Sequence, residues 1–234
     1  VPRGGILYDA ARIRKPDAAM FTREYWAARG ALEEQMGGRG SVCVLKAEEG
    51  DWILRHYRRG GFAARIATDG YLWLGADATR SFREWRLLAE LQRLELPAPS
   101  PVAARFERVG LYYRADIITV RLPDARTLAQ VLTERALDPE TWQAIGRTLA
   151  RFHAAGVHHA DLNAHNILLA PDGVYLLDFD RGRIRPRGGW EAQVLARLKR
   201  SLEKLRGQRA GFHFEQGDWE ALLEGVGLGA RGSG

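Results

Sequence analysis

His159-Ala160-Asp161-Leu162-Asn163-Ala164-His165-Asn166 is followed, after two short apolar runs, by Asp178-Phe179-Asp180. Between these strings, Ile167-Leu168-Leu169 and Val174-Tyr175-Leu176-Leu177 read as strands joined by the turn Pro171-Asp172-Gly173. A hairpin of that length returns Asp178 to the level of Asn166, so two carboxylates and an amide oxygen meet in one place. Phosphoryl transfer from a nucleotide uses such a set: one carboxylate orients a hydroxyl nucleophile, and oxygen ligands hold Mg²⁺ against the phosphates. Asp161 is the candidate for the first task, Asn166 and Asp178 for the second. A single string of this kind could be a surface loop met by chance. A second one, at a workable distance and after an apolar strand, argues against chance.

An aspartate followed five residues later by an asparagine is the spacing of kinase catalytic loops, and a kinase needs a glycine-rich turn and a strand-borne cation upstream. Up to about Tyr71 the chain is strand-like and broken by glycine. Gly37-Gly38-Arg39-Gly40 precedes a strand from Ser41 to Lys46, a turn at Ala47-Glu48-Glu49-Gly50, and a strand Trp52-Ile53-Leu54-Arg55-His56-Tyr57. Gly37, Gly38 and Gly40 are thus candidates to lay backbone N–H groups over a nucleotide's phosphates. The usual phosphate-binding lysine is missing, since no lysine occurs between Lys46 and Lys199. Arg55 stands in its place, with Lys46 as the second candidate. Its partner would be Glu84, on a helix around 81–91, where it shares a face with Leu87, Leu88 and Leu91. Alternatively, Glu84 closes a capping box with Ser81.

Leu96-Pro97-Ala98-Pro99-Ser100-Pro101 breaks the chain before two strands, about 102–106 and 111–120. Beyond Arg121-Leu122-Pro123-Asp124 the pattern turns helical, over 127–135 and then from about Pro139 to Ala155, ending at Gly156. The change from strands to helices predicts an α+β, bilobal, protein-kinase-like fold: a small antiparallel-sheet N-lobe over 1–121 and a mainly helical C-lobe over 122–234. The adenine of a nucleotide would sit against the connection.

With 46% hydrophobic residues in 234, the chain can bury a proper core. A lone cysteine, Cys43, excludes an intramolecular disulfide and suits a reducing compartment. No run of about 18 apolar residues is long enough to cross a membrane, and Val1-Pro2-Arg3-Gly4 lacks the apolar stretch of a signal peptide. Those residues and 229–234 are left out of the fold. The net charge of +6 is carried almost wholly by arginine, because only Lys15, Lys46, Lys199 and Lys204 are lysines among 35 cations. Base composition explains much of that bias, yet arginine is also the better bidentate ligand for phosphate and carboxylate.

Arg181, Arg183, Arg185 and Arg187 alternate just after Asp178, so an extended segment would present all four on one side. They are either a solvated strand or a receptor for an anionic acceptor. A helix from Trp190 to Arg206 follows, with Trp190, Val194, Leu195, Leu198, Leu202 and Leu205 on one face and Arg197, Lys199, Arg200, Lys204 and Arg206 elsewhere. Its apolar stripe packs on the core, or its basic face meets anionic lipid.

The strings 159–166 and 178–180, with Leu54-Arg55-His56-Tyr57-Arg58-Arg59-Gly60-Gly61 and Ser81-Phe82-Arg83-Glu84, resemble the 3-deoxy-D-manno-octulosonic acid (Kdo) kinases of Gram-negative lipopolysaccharide synthesis, from about Gly5 to Gly207. The resemblance implies transfer from ATP, with Mg²⁺, to the 4-hydroxyl of Kdo on a Kdo-lipid A glycolipid. It also implies a peripheral enzyme on the anionic cytoplasmic face of the inner membrane, with no nucleic-acid partner. Asp161 is then the base, Asn166 and Asp178 the metal ligands, Arg55 the phosphate-binding cation and Glu84 its partner. Two departures from the wider kinase pattern stand out: Asn163 replaces a lysine two residues after Asp161, and Asp180 replaces a glycine, adding a carboxylate that could bind metal. No activation segment with Ala-Pro-Glu is present, which argues against a protein substrate. The rival readings are heptose, aminoglycoside or choline kinases, or a pseudokinase module that binds anionic lipid without catalysis. Arginines flanking the site disfavour a cationic antibiotic, and the intact Asp161, Asn166 and Asp178 disfavour a lapsed enzyme.

Overall fold

A computed structural model describes residues 3–37, 40–57 and 70–228. The chain divides into two compact units, 1–89 with 99–121, and 90–98 with 122–234. The division at Arg121 falls where strands give way to helices. Residues 90–98, expected with the first unit, group with the second because Leu176 N–H donates to the Pro97 carbonyl (3.0 Å) and Arg151 Nη2 to the Glu95 carbonyl (2.6 Å).

The first unit is built on an antiparallel sheet of β1 (Gly4–Tyr8), β2 (Leu32–Gly37), β3 (Gly40–Ala47), β4 (Gly50–His56), β5 (Tyr71–Leu72), β6 (Pro101–Val109) and β7 (Tyr112–Val120), in the order β1-β6-β7-β4-β3-β2 with β5 also on β7. Strand β1 includes Gly4, which the sequence reading set aside; it pairs with Glu107. Alternation along β4 decides what the sheet carries on each face. Trp52 and Leu54 are buried with Met20, Phe21 and Trp26, whereas Ile53 and Arg55 point the other way. Met20 to Trp26 lie on a 3₁₀ turn (Ala18–Phe21) and the short helix α1 (Arg23–Ala27), not on the strands expected there. The caps explain the difference: Asp17 Oδ1 accepts from Ala19 N–H (2.9 Å) and Thr22 Oγ1 from Tyr25 N–H (3.4 Å). Helix α2 (Arg80–Arg93) lies against the Arg55 face through Phe82, whose ring meets Phe106 edge-on at 5.2 Å.

The second unit holds β8 (Arg126–Thr127), α3 (Leu128–Glu134), α4 (Pro139–Ala154), β9 (Val157–His158), β10 (Ile167–Ala170), β11 (Gly173–Leu176), β12 (Arg183–Ile184), α5 (Trp190–Gln208) and α6 (Gln216–Val226). The α4 start is set by Asp138, which caps Thr141 N–H at 2.7 Å, and by Pro139 in the first turn. Its buried face, Trp142, Ile145, Leu149 and Phe152, forms the middle of the unit. Helices α4 and α6 touch backbone to backbone: a Cβ on Gly146 would lie 2.1 Å from the Leu222 carbonyl, and one on Gly225 2.1 Å from the Gln143 carbonyl. The expected hairpin is present, with Ile167 opposite Leu176 and Ala170 opposite Gly173. All six apolar residues of the α5 stripe are buried, so the stripe packs on the core.

Candidate active site

In the second unit, the loop 159–166 is pinned by its small apolar residues. Leu162 and Ala164 are fully buried, Ala164 O accepts from Ala129 N–H (3.0 Å), and Ala164 N–H donates to Ser201 Oγ (3.3 Å). Between these pins the polar residues turn outward. Asn163 Nδ2 and Asn166 Nδ2 both donate to the Asp161 carbonyl, at 2.8 and 2.9 Å. Asn163 therefore braces the loop instead of carrying the charge of a lysine. With its Nδ2 so occupied, Asn166 keeps its oxygen for another partner.

The hairpin delivers the second carboxylate as its strands predict. Leu177 N–H donates to the Asn166 carbonyl (2.9 Å), which sets Asp178 beside Asn166 in the fold. His159 ties the two strings together: Nε2 donates to the Leu177 carbonyl (2.7 Å), leaving Nδ1 to accept the Asp161 N–H (3.3 Å). Burial holds the His159 imidazole below its ordinary pKa, which keeps it neutral with one nitrogen free to accept. Phe179, only 1% exposed, stacks on Phe152 at 5.7 Å and lies 4.8 Å from the His159 ring. The core thus fixes the middle of Asp178-Phe179-Asp180 while Asp178 stays exposed, with φ at +62°. Few non-glycine residues adopt that backbone, and aspartate, with asparagine and histidine, is among those that tolerate it.

Arg197, on α5, was read only as part of a polar helix face. Its Nε and Nη2 both meet Oδ1 of Asp161, Nε at 2.9 Å. Nothing local in the sequence links residues so far apart; the signal lies solely in the packing of α5 on the loop. Lys199 lies over the Trp219 ring (5.7 Å), and Arg206 donates to the Phe214 carbonyl (3.3 Å). Three of the five basic residues read as a lipid-facing surface are therefore engaged within the protein.

The first unit holds the other set. Glu84, 3% exposed, takes Arg55 Nη2 on Oε1 and the Tyr57 hydroxyl on Oε2. The capping-box alternative fails, because the Ser81 hydroxyl donates to the Arg105 carbonyl (2.9 Å). Lys46, the second candidate, sits on the surface between Asp51 (2.7 Å) and Glu33 (3.3 Å), and the Asp51 hydrogen bond raises its pKa. Gly37 and Gly40 close the β2–β3 hairpin opposite one another. Gly38 lies outside the described residues, as do Arg58 to Gly61.

The arginine strip departs from the expected single extended face. The Gly182 N–H donates to the Phe179 carbonyl (2.7 Å), a turn that separates Arg181 from Arg183, and only Arg183–Ile184 pairs as a strand, with β9. Ile184 between them is exposed as well. Arg181, Arg183 and Arg185 remain exposed, but Arg187 is held by Glu191 through Nε (2.8 Å) and Nη2 (3.0 Å).

The fold and the comparisons define the chain as a protein-kinase-like phosphotransferase, an enzyme that takes its phosphoryl group from ATP. A solved structure of "WaaP in complex with acyl carrier protein" shares the fold, with a TM-score of 0.54 and 18% identity over 86% of this chain and 81% of that one. A relative from Stenotrophomonas maltophilia (strain R551-3), "3-deoxy-D-manno-octulosonic acid kinase", is 49% identical over 212 residues, 88% of this chain and 83% of that protein. Another of the same name, from Xanthomonas campestris pv. campestris (strain B100), is 49% identical over 224 residues, 94% and 88% of the two chains. The model of the lipopolysaccharide kinase (Kdo/WaaP) family matches residues 23–225. The chain belongs to that family.

Proposed function

We propose that this chain phosphorylates the 4-hydroxyl of Kdo on a Kdo-lipid A glycolipid in lipopolysaccharide inner-core synthesis. The observation that carries the reading is the set Asp161, Asn166 and Asp178, gathered by the loop and its hairpin, in a chain 49% identical, over most of its length, to proteins named Kdo kinase. Asp161 takes the proton of the sugar hydroxyl as its oxygen bonds to the γ-phosphorus of ATP, and the bond to the bridging oxygen breaks to release ADP. Arg55, anchored by Glu84, serves the α/β-phosphates in place of a lysine, and Gly37 and Gly40 supply backbone donors. Asn166 Oδ1 and the Asp178 carboxylate are hard oxygen donors that suit Mg²⁺, an ion held by one or two protein groups plus substrate phosphates. When bound there, Mg²⁺ neutralises charge on the transferring phosphate.

Arg181, Arg183 and Arg185 receive the anionic acceptor, while Arg187 is already matched by Glu191. We place the enzyme as a peripheral protein on the cytoplasmic face of the inner membrane of a Gram-negative bacterium. In support, no helix among the described residues is long and apolar enough to cross a membrane, and the exposed arginines suit an anionic surface. The test is radiolabelled phosphate transfer from ATP to Kdo-bearing lipid A precursor, heptosylated core and an aminoglycoside. Transfer to the first alone is expected; transfer confined to either of the others overturns the assignment. Replacing Arg183 and Arg185 with glutamine should raise KM for the Kdo acceptor and leave that for ATP unchanged.

A further inference from the structure

The loop that carries Asp161 has no cation of its own beside the carboxylate, because position 163 is an asparagine whose amide is spent on the Asp161 carbonyl. The charge arrives from another element. Arg197 reaches Asp161 from α5, with Nε and Nη2 both on Oδ1. One turn further along the same helix, Ser201 Oγ accepts the Ala164 N–H of the same loop. Helix positions i and i+4 share a face, so α5 grips the loop at two points with that one face. Between them Leu198 is fully buried, and Val194 and Leu202 fix the helix on the core. The guanidinium is thereby delivered by an immobile backbone.

The geometry also leaves room for chemistry. Both contacts fall on Oδ1, and among the described residues none bonds Oδ2. The two side chains are about half exposed, 49% for Arg197 and 51% for Asp161, so the free oxygen stands where a bulky acceptor can reach it. An ion pair this exposed adds little to stability. Its value lies in which way it turns the carboxylate: a forked donor on one oxygen fixes the rotation that presents the other.

We infer that Arg197 is the positioning residue of this enzyme, clamping Oδ1 of Asp161 so that Oδ2 faces the acceptor hydroxyl and supplying from α5 the positive charge that the loop lacks. The inference rests on the reading of Asp161 as the base. It is tested on the full chain by following ADP release with the three acceptors named above, so that Arg197 variants are compared on whichever acceptor the wild type uses. R197A should lower kcat by about 10²-fold, with KM for ATP held within about twofold. Millimolar guanidinium chloride should restore part of the turnover to R197A and none to an Asp161→Ala control. R197K should recover about a tenth of the wild-type rate, since it returns the charge without the fork. R197A turnover within about threefold of wild type overturns the inference, as does a loss relieved neither by guanidinium nor by R197K. If the wild type turns over none of the acceptors, the kinase reading falls and this inference with it. If the wild type is active and only the Arg197 comparison fails, the kinase reading stands.

Discussion

Glu84→Gln separates a carboxylate that holds Arg55 for nucleotide from one that merely ties α2 to the sheet. Glutamine keeps the shape but can accept at only one of the two oxygens now used by Arg55 and the Tyr57 hydroxyl. A hydrogen bond to a charged group is worth ~1.5–3 kcal/mol and a neutral one ~0.5–1.5, so the Tyr57 bond, which the amide oxygen keeps, should lose ~1–1.5 kcal/mol, and the Arg55 bond, left facing the amide NH2, is lost. Arg55 is 37% exposed, which discounts its share through solvent screening, whereas Tyr57 is buried and loses the full amount. The net cost of ~1.5–2 kcal/mol corresponds to a urea midpoint lowered by ~0.5–1 M. The arginine, no longer anchored, should lower kcat/KM for ATP by ~10–10²-fold, at ~1.4 kcal/mol per tenfold. Tyr57→Phe is the comparison: it deletes one bond to Glu84 and leaves the Arg55 pair, so the midpoint should fall while ATP kinetics hold. Steady-state ADP release and urea titration read both quantities. Glu84→Gln that loses stability but keeps wild-type ATP kinetics would refute the role given to Arg55.

Asp161→Ala and Asp178→Ala should each lower turnover by at least ~10²-fold with melting unchanged, because the groups act in the transition state; near-native activity in either removes the kinase assignment. Gly146→Ala drives a Cβ into the backbone of α6, 2.1 Å from the Leu222 carbonyl, and should cost ~1–3 kcal/mol or more. Gly217→Ala, with nothing within 4 Å, should be near neutral in the same thermal melts, and equal losses would refute the close-approach argument. Burial lowers the pKa of His153, His158 and His159 from the ordinary 6.5. The unfolded chain then binds protons more readily than the folded one below about pH 6.5, so stability is full above that pH and lost as pH falls through it. Melting temperature should therefore drop between about pH 6.5 and 5, and constancy over that range would contradict the burial.

Pattern and motif expose what is local. The Asp161–Asn166 spacing, the hairpin that returns Asp178, and helices α2 to α5 all follow from short-range periodicity, and the structure places them within a few residues of expectation. Arg55 and Glu84 were paired by motif logic, which the sheet and α2 realise. What escaped depends on contacts distant in sequence or on elements too short for a period. The turn and helix at 18–27 are each under two turns, and their apolar residues Met20, Phe21 and Trp26 mimic a strand. Four alternating arginines suggested one extended face, yet a single hydrogen bond from Gly182 to Phe179 bends the chain there. Tyr57, just past the end of β4, gave no sign that its hydroxyl would complete the surroundings of Glu84.

The 36 residues that separate Asp161 from Arg197 are also an interval of time. At ~5–20 residues per second, a ribosome polymerises the aspartate ~2–7 s before the arginine. Through that delay the β1–β7 sheet, with its Arg55–Glu84 pair, can already be complete, whereas the loop at 159–166 still lacks both α5 contacts. On the reading of Arg197 above, the growing polypeptide gains the grip that aims Asp161 only once α5 is made, with α6 still to follow, and earlier nascent forms carry the carboxylate without it.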